Sequence, residues 1–481
     1  MEVVLIYPCK RTEVDMGLWP PLGISYVAAV LEKNGHKTRI IDRGIINIKN
    51  SENIAVVNDV TKKTLEKEKP RIVGISATTA LIPDAYETAK LVKKTLPGCT
   101  VILGGTHATI LPLKTLEECR EIDIVIRGEG EFTFLDIVKN KKLNEIKGIS
   151  YRINKKIITN PAREPIEALD ALPFPARHLL DMKFYTSIHN IVLRGVIVKA
   201  THIFTTRGCP YKCSFCAGSA AFGRKLRYHS VDYVIREIKH LISKYEVKGI
   251  YFAEDMFLSN RQRATELCNA LIKEGLNKKI VWCAQVRVNS VDENILRLMK
   301  KAGCIQIEYG FESGSQKMLD IMKKHTTAEQ NYAAAKLARK VGLRFLADII
   351  VGIPGEEKED FVKTTNLIRE TKPDVIGFNI FIPLPGSELF DMLQSKGLIN
   401  PDWGKFNVDN TTGKSHFGEM GNKEFLDMYD DFNDRFVRSW TAKSYLKYNL
   451  IHHPIGLIRK IFRMSLENPK NAFKVAGRVV G

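Results

Sequence analysis

The chain has 481 residues, 44% of them hydrophobic, and carries 73 Lys and Arg against 54 Asp and Glu, a formal net charge of +19. That length and apolar content provide buried cores for two or three domains, and the absence of any uninterrupted run of about 18 apolar residues excludes a membrane-spanning helix. The basic excess is either a lysine-rich wet surface or an attraction to something anionic: a substrate, a cofactor or a membrane face.

Val3–Tyr7 is expected to be a buried strand rather than a signal peptide, because no basic stretch precedes it and its apolar run is short. A helical pattern over 22–34 follows and stops at Gly35, and strands are expected at Thr38–Asp42, Ile72–Ser76, 100–103 and 122–127. Alternation of strand and helix over residues 1–145 predicts a parallel α/β sheet of the Rossmann-like, flavodoxin-like kind. Three strands run into small or Gly-rich segments: Ser76-Ala77-Thr78-Thr79, Gly104-Gly105-Thr106-His107 and Gly128-Glu129-Gly130-Glu131. Ligands of open α/β sheets bind beyond the carboxyl ends of strands, where glycine lets the backbone approach closely. No G-x-G-x-x-G follows the first strand, so the dinucleotide fingerprint is missing; a nucleotide-binding or purely structural unit remains compatible with the pattern.

Residues 146–200 read as a connector, with a hairpin turning at Asn154 and an extended segment through Leu172-Pro173-Phe174-Pro175. Over 201–390 six strand patterns recur, each followed by a helical one: 202–206, 249–253, 280–285, 305–311, Arg344–Val351 and 375–382. Six β/α units predict a partial TIM-like barrel, whose chemistry belongs at the strands' carboxyl ends. Those ends are polar or Gly-rich: Glu254-Asp255, Gln285-Val286-Arg287, Glu312-Ser313-Gly314 and Gly352-Ile353-Pro354-Gly355.

Directly after the first of these strands stands Cys209-Pro210-Tyr211-Lys212-Cys213-Ser214-Phe215-Cys216. Three thiolates at this spacing suit three irons of a 4Fe–4S cluster and leave the fourth iron open for a small molecule. Three cysteines with His229 would also serve a structural zinc ion, although such sites pair C-x2-C arms and one arm occurs here. The other six of the nine cysteines (Cys9, Cys99, Cys119, Cys268, Cys283 and Cys304) are scattered through apolar patterns. They read as reduced core thiols, which predicts a reducing, cytoplasmic setting.

Residues 391–481 are expected to be helical and basic. From Arg438 onward there are nine Lys/Arg and one acid, Glu467. At 100° per residue, Leu457, Ile458, Ile461, Phe462 and Met464 share one side of a helix, with Arg459, Lys460 and Arg463 on the other. Such a helix either packs on the barrel with a wet basic face or lies on a membrane surface. Nothing in the chain resembles a nucleic-acid module.

The cysteine triplet with Phe215 before its last member resembles the signature of the radical S-adenosylmethionine (SAM) superfamily. The strand ends that follow resemble, in order, the SAM-contacting motifs of that superfamily. The N-terminal region resembles the cobalamin-binding domain that precedes many radical SAM barrels. The resemblance covers about residues 1–390. It implies a 4Fe–4S cluster on Cys209, Cys213 and Cys216, which also carry catalysis. It implies SAM contacts from Phe215, Glu254, Asp255, Gln285, Arg287, Glu312, Ser313, Gly352 and Pro354. It implies cobalamin contacts from Leu22, Gly23, Ser76, Thr78, Thr79, Gly104, Gly105, Thr106, His107, Gly128, Glu129 and Gly130. One departure matters: the D-x-H-x-x-G whose His ligates cobalt in many cobalamin domains is absent, as in the subset whose cobalt has no protein lower ligand.

The activity implied is methyl transfer to a poorly activated carbon, or to phosphorus, through a 5′-deoxyadenosyl radical and methylcobalamin. A cyclase or oxidase that uses cobalamin without net methyl transfer is the first alternative, and a non-catalytic Fe–S or zinc protein the second. The implied partners are an electron donor such as ferredoxin or flavodoxin and an apolar, lipid or anionic substrate, with the chain acting as a monomer.

Overall fold

The computed structural model describes residues 2–9, 19–187, 193–254, 256–399, 403 and 416–467. Strands β1 (Val3–Tyr7), β2 (Thr38–Asp42), β3 (Ile72–Ser76), β4 (Thr100–Gly104) and β5 (Ile124–Ile126) pair in parallel in the order β2-β1-β3-β4-β5. They are β-branched and apolar on both faces, as a strand sandwiched between helices must be. Val4, Ile6, Val73, Val101 and Leu103 enter one core, while Val3, Leu5, Ile72, Ile102 and Ile126 enter the core on the opposite face. The hairpin expected in the connector is β6 (Ile149–Ile153) and β7 (Lys156–Thr159), and it adds to β5 as two antiparallel strands. The first sheet therefore runs past residue 145.

The second sheet begins with β8 (Ala200–Ile203), interrupted by a small antiparallel pair, β9 (Thr206–Arg207) with β10 (Arg227–Tyr228). It continues through β11 (Gly249–Phe252), β12 (Val281–Val286), β13 (Cys304–Glu312), β14 (Arg344–Val351) and β15 (Val375–Ile380), all parallel, in the order β15-β14-β13-β12-β11-β8. This is the six-unit partial barrel. Trp282, Ala284 and Val286 of β12 and Tyr309 and Phe311 of β13 pack outward on the helices. Strand alternation then turns Cys283, Gln285, Glu308 and Glu312 to the inside.

The C-terminal helices lie against β14, β15 and the base of the barrel. Trp440 Nε1 donates to the Pro373 carbonyl at 2.6 Å and Tyr429 Oη to that of Phe378 at 2.9 Å. The Asn449 side chain accepts from Ile197 N at 2.8 Å and donates to the Gly195 carbonyl at 3.0 Å.

The last helix is Pro454–Glu467, for which packing on the barrel and exposure at a surface were both open. Leu457 is buried, but Ile455 is 67% exposed and Ile458 66%. Leu450, Ile451 and Ile461 are exposed as well. Ile455, Ile458 and Ile461 recur every three residues along this helix and all three are exposed, so its aliphatic stripe looks outward. The barrel-packed alternative is thus wrong for Ile458 and Ile461. The side chains of Arg459, Phe462, Arg463 and Met464 lie outside the described residues. No described helix is long and apolar enough to cross a membrane.

Candidate active site

The loop 209–216 is pinned at several points of its backbone. Cys209 N donates to the Gly223 carbonyl at 3.1 Å, Cys216 N to that of Cys213 at 3.1 Å, and Ser214 N to that of Met322 at 2.9 Å. Gly208, which starts the loop, has φ +92, and a Cβ there would stand 2.3 Å from the Lys225 carbonyl oxygen, so only glycine turns the chain here. None of the three forms a disulfide; Cys209 and Cys213 are half-buried and Cys216 is exposed. Gly218 N donates to Cys216 Sγ at 3.3 Å, the kind of N–H···S bond that tunes cluster thiolates. By contrast, burial pushes the thiols of Cys99, Cys119 and Cys268 up to about 11, 12 and 12, which keeps them inert. His229 is no fourth ligand: it is buried, stacked on Tyr233 at 3.9 Å, with Nδ1 3.2 Å from Asp170 Oδ1. The three soft thiolates are the donor types a 4Fe–4S cluster takes, and His229 does not complete a zinc site beside them.

Around this loop the strand ends converge. Glu254 is buried beyond β11, and its Oε2 accepts from Thr205 N at 2.9 Å and Thr205 Oγ1 at 2.6 Å. Glu312 ends β13 after a register shift, in the left-handed region at φ 58, a conformation that surrounding structure must enforce in a non-glycine residue. Its Oε1 accepts from Lys324 Nζ at 2.6 Å. Lys324 lies 5.9 Å from the centre of the Phe215 ring, and the Arg287 guanidinium 3.8 Å from that of Tyr211. Arg287 also donates to the Lys324 carbonyl. The cluster loop is therefore bound through Tyr211 and Phe215 to the ends of β12 and β13, and Tyr211 and Lys324 are site residues that sequence reasoning missed.

Gln285 is half-buried on the inner face. Ser313 is engaged elsewhere, 2.9 Å from Thr364 Oγ1 and accepting from Ser315 N at 3.1 Å. Gly352, at φ 78, donates to the Glu356 carboxylate, whose pKa burial pushes up to about 8. Pro354 follows in the same loop, half-buried. Asp255 lies outside the described residues.

A cavity of about 300 Å³ opens between the first sheet and the segment 204–208 that leads into the cysteine loop. Gly23, Gly74, Ser76, Gly104, Gly105, Thr106, Gly128, Glu129, Gly130 and Glu131 line it from one side, and Phe204, Thr206, Arg207, Gly208, Phe222 and Glu254 from the other. Cβ atoms at Gly23 and Gly128 would meet nothing within 4 Å, and one at Gly104 only Ile126 at 4.0 Å, so these glycines hold open space. A broad, flat, amide-rich ring such as corrin fits a cradle of this kind.

Leu22, Thr78, Thr79 and His107, expected as cobalamin contacts, are not on its wall. Leu22 is core and Thr78 is exposed; His107 is fully buried, Nδ1 3.2 Å from Thr79 Oγ1 and its ring edge-on to Trp403 at 5.0 Å. Burial holds its imidazole down at about 4. Among the described residues lining the cavity there is no histidine.

An ion network closes the seam between the two domains. Arg207 donates to Glu129 Oε1 at 2.9 Å and to Glu131 Oε1 at 2.6 Å, and Arg227 to Glu129 Oε2 at 2.7 Å. The Arg207 guanidinium lies 5.2 Å from the centre of the Tyr26 ring.

Comparison with known proteins agrees with this geometry. The model of the radical SAM superfamily matches residues 203–368, and that of the B12 binding domain matches 13–138. The chain is 36% identical over 428 residues to the uncharacterized methyltransferase PH0819 of Pyrococcus horikoshii, covering 87% of this chain and 89% of that one. It is 30% identical over 461 residues to the anaerobic magnesium-protoporphyrin IX monomethyl ester cyclase of Rubrivivax gelatinosus, covering 93% and 79%. The solved structure of the cobalamin-dependent SAM radical enzyme OxsB, with aqua-cobalamin and SAM bound, shares the fold at a TM-score of 0.72 and 19% identity, over 99% of this chain and 74% of that one. The chain belongs to the radical SAM superfamily, in the class that carries an N-terminal B12-binding domain.

Proposed function

We propose that this radical SAM enzyme moves a methyl group from SAM to a poorly activated carbon, or to phosphorus, of an apolar or anionic substrate. One observation carries the reading: a glycine-walled cavity at the strand ends of the first domain reaches Arg207 and Gly208, where the cysteine loop starts, and the Glu254 end of β11. Similarity to PH0819 along most of both chains favours methyl transfer over the cyclase alternative.

When bound, the cluster supplies the electron that splits SAM, and cobalamin supplies the methyl carrier. The protein's part is positioning and exclusion of water. Cys209, Cys213 and Cys216 hold the cluster; Glu254, Glu312 and Arg287 orient SAM at the strand ends. Gly23, Gly104 and Gly128 admit the corrin, and Phe204, Phe222, Ile102 and Ile126 keep its chamber apolar. The exposed edge of the loop at Cys216 gives a small one-electron donor such as ferredoxin or flavodoxin a short approach.

The test is anaerobic turnover of the reconstituted protein with SAM and a strong reductant. S-adenosylhomocysteine and deoxyadenosine should both form, the first only when cobalamin is supplied. Deoxyadenosine without S-adenosylhomocysteine would move the assignment to the cyclase or oxidase alternative.

The outward stripe at Ile455, Ile458 and Ile461, within a tail with nine Lys/Arg and one acid, supports work at the anionic cytoplasmic face of a membrane. The chain should co-sediment with phosphatidylglycerol vesicles. Ile455→Asp with Ile458→Asp should weaken that binding about tenfold or more while leaving SAM cleavage intact. Unchanged sedimentation of the double variant would end this reading, as would a stripe found covered by a second copy of the chain.

A further inference from the structure

Glu131 stands on the cavity wall, 4% exposed, with its two oxygens in different situations. Oε1 accepts from Arg207 Nη2 at 2.6 Å. Oε2 is buried and meets no donor. Neighbouring Glu129 differs, because Arg207 engages its Oε1 while Arg227 and Ile166 N engage its Oε2. A buried carboxylate oxygen without a donor is costly, so the missing donor belongs to whatever fills the cavity. That ligand presents an N–H or O–H at this point, and an anionic group there would be repelled.

Arg207 is the other half of the arrangement. It leads through Gly208 directly into Cys209, and its guanidinium is shared between Glu129 and Glu131. Whatever bonds to Glu131 is thus two contacts from the cluster loop.

We propose that Glu131 is a cobalamin-anchoring residue. Its Oε2 accepts a hydrogen bond from a neutral donor of the cofactor, a corrin carboxamide or a ribose hydroxyl, while its Oε1 holds Arg207 at the foot of the cluster loop. The proposal rests on the reading that this cavity takes cobalamin.

The test is a spectrophotometric titration of the full-length protein with three aqua-form corrinoids. Aquacobalamin carries amides and ribose, aquacobinamide carries amides without ribose, and the heptamethyl ester of aquacobyrinic acid has no amide N–H. Glu131→Gln keeps an oxygen for Arg207 and turns an N–H2 toward the cavity, so donor meets donor. It should weaken aquacobalamin binding about tenfold or more, as for a lost hydrogen bond to a charged group. Binding of the heptamethyl ester should change little. Weakening of cobinamide as well assigns the donor to a corrin amide; weakening of cobalamin alone assigns it to the ribose. Glu131→Asp retains the charge beside Arg207 but withdraws the oxygen, and should lose affinity with an unchanged melting profile, which guards against a variant that merely unfolds. Aquacobalamin affinity within twofold of wild type in both variants overturns the proposal. A wild-type protein that binds no corrinoid overturns instead the cobalamin reading beneath it.

Discussion

Cys213→Ala is expected to abolish the visible absorbance of the cluster and to reduce deoxyadenosine formation to background, with cobalamin binding retained. Two thiolates cannot hold a cluster that needs three, and no other thiol can stand in. Cys99, Cys119 and Cys268 are buried, with their thiols held near 11 or 12, burial also pushes the thiols of Cys283 and Cys304 well up, and Cys9 is buried in the first domain. No cysteine lines the cavity, so its shape does not depend on the missing sulfur. The loop's backbone bonds, through Cys209 N, Ser214 N and Cys216 N, do not involve the Cys213 side chain. The measurements are iron content, aquacobalamin titration and mass spectrometry of SAM products on one preparation. Residual deoxyadenosine above background would refute the three-cysteine assignment; loss of cobalamin binding would refute two separable sites.

The parts of this design that are local in sequence were legible before any coordinates. The cysteine spacing, the alternation that builds each sheet and the order of the barrel strands all follow from residues within a few positions of one another. What the sequence leaves open is direction within a loop. The small-residue runs after β3 and β4 mark the right loops, but sequence does not say that Ser76 and Gly104 face the cavity while Thr78, Thr79 and His107 turn away. The ion network was missed for another reason: Arg207 and Glu131 are 76 residues apart and belong to different domains. A signal did exist. An arginine immediately before the cluster loop, and two acids set among the glycines after β5, are charges that buried loops hold only in pairs. Lys324 was hidden likewise, since it acts from a turn beyond the strand end that carries Glu312. The tail shows the limit of periodicity, which finds an apolar stripe but not whether the protein covers it.

The adjacent glycines 104 and 105 should separate binding from folding. Gly104→Leu is expected to eliminate cobalamin binding and S-adenosylhomocysteine formation, leaving the cluster and deoxyadenosine formation in place. At Gly104 the backbone is an ordinary strand end with no positive φ, and a Cβ meets only Ile126, at 4.0 Å. The rest of a leucine side chain must then project into a cavity of about 300 Å³. Side chains in a core can shift to absorb such overpacking at a cost of about 1–3 kcal/mol, but a rigid macrocycle has less freedom, so affinity should fall by at least about tenfold to a hundredfold. Gly105 is the opposite case. Its φ of +97 is unfavourable for any L side chain, and a Cβ would stand 2.5 Å from the Ala77 carbonyl oxygen. Gly105→Ala should therefore lower the melting temperature of the whole first domain, with cobalamin lost only as a consequence of unfolding. Calorimetry beside aquacobalamin titration distinguishes the two. A Gly104→Leu protein that melts like wild type and still binds cobalamin would show that the corrin lies elsewhere, and the assignment of the cavity would have to be abandoned.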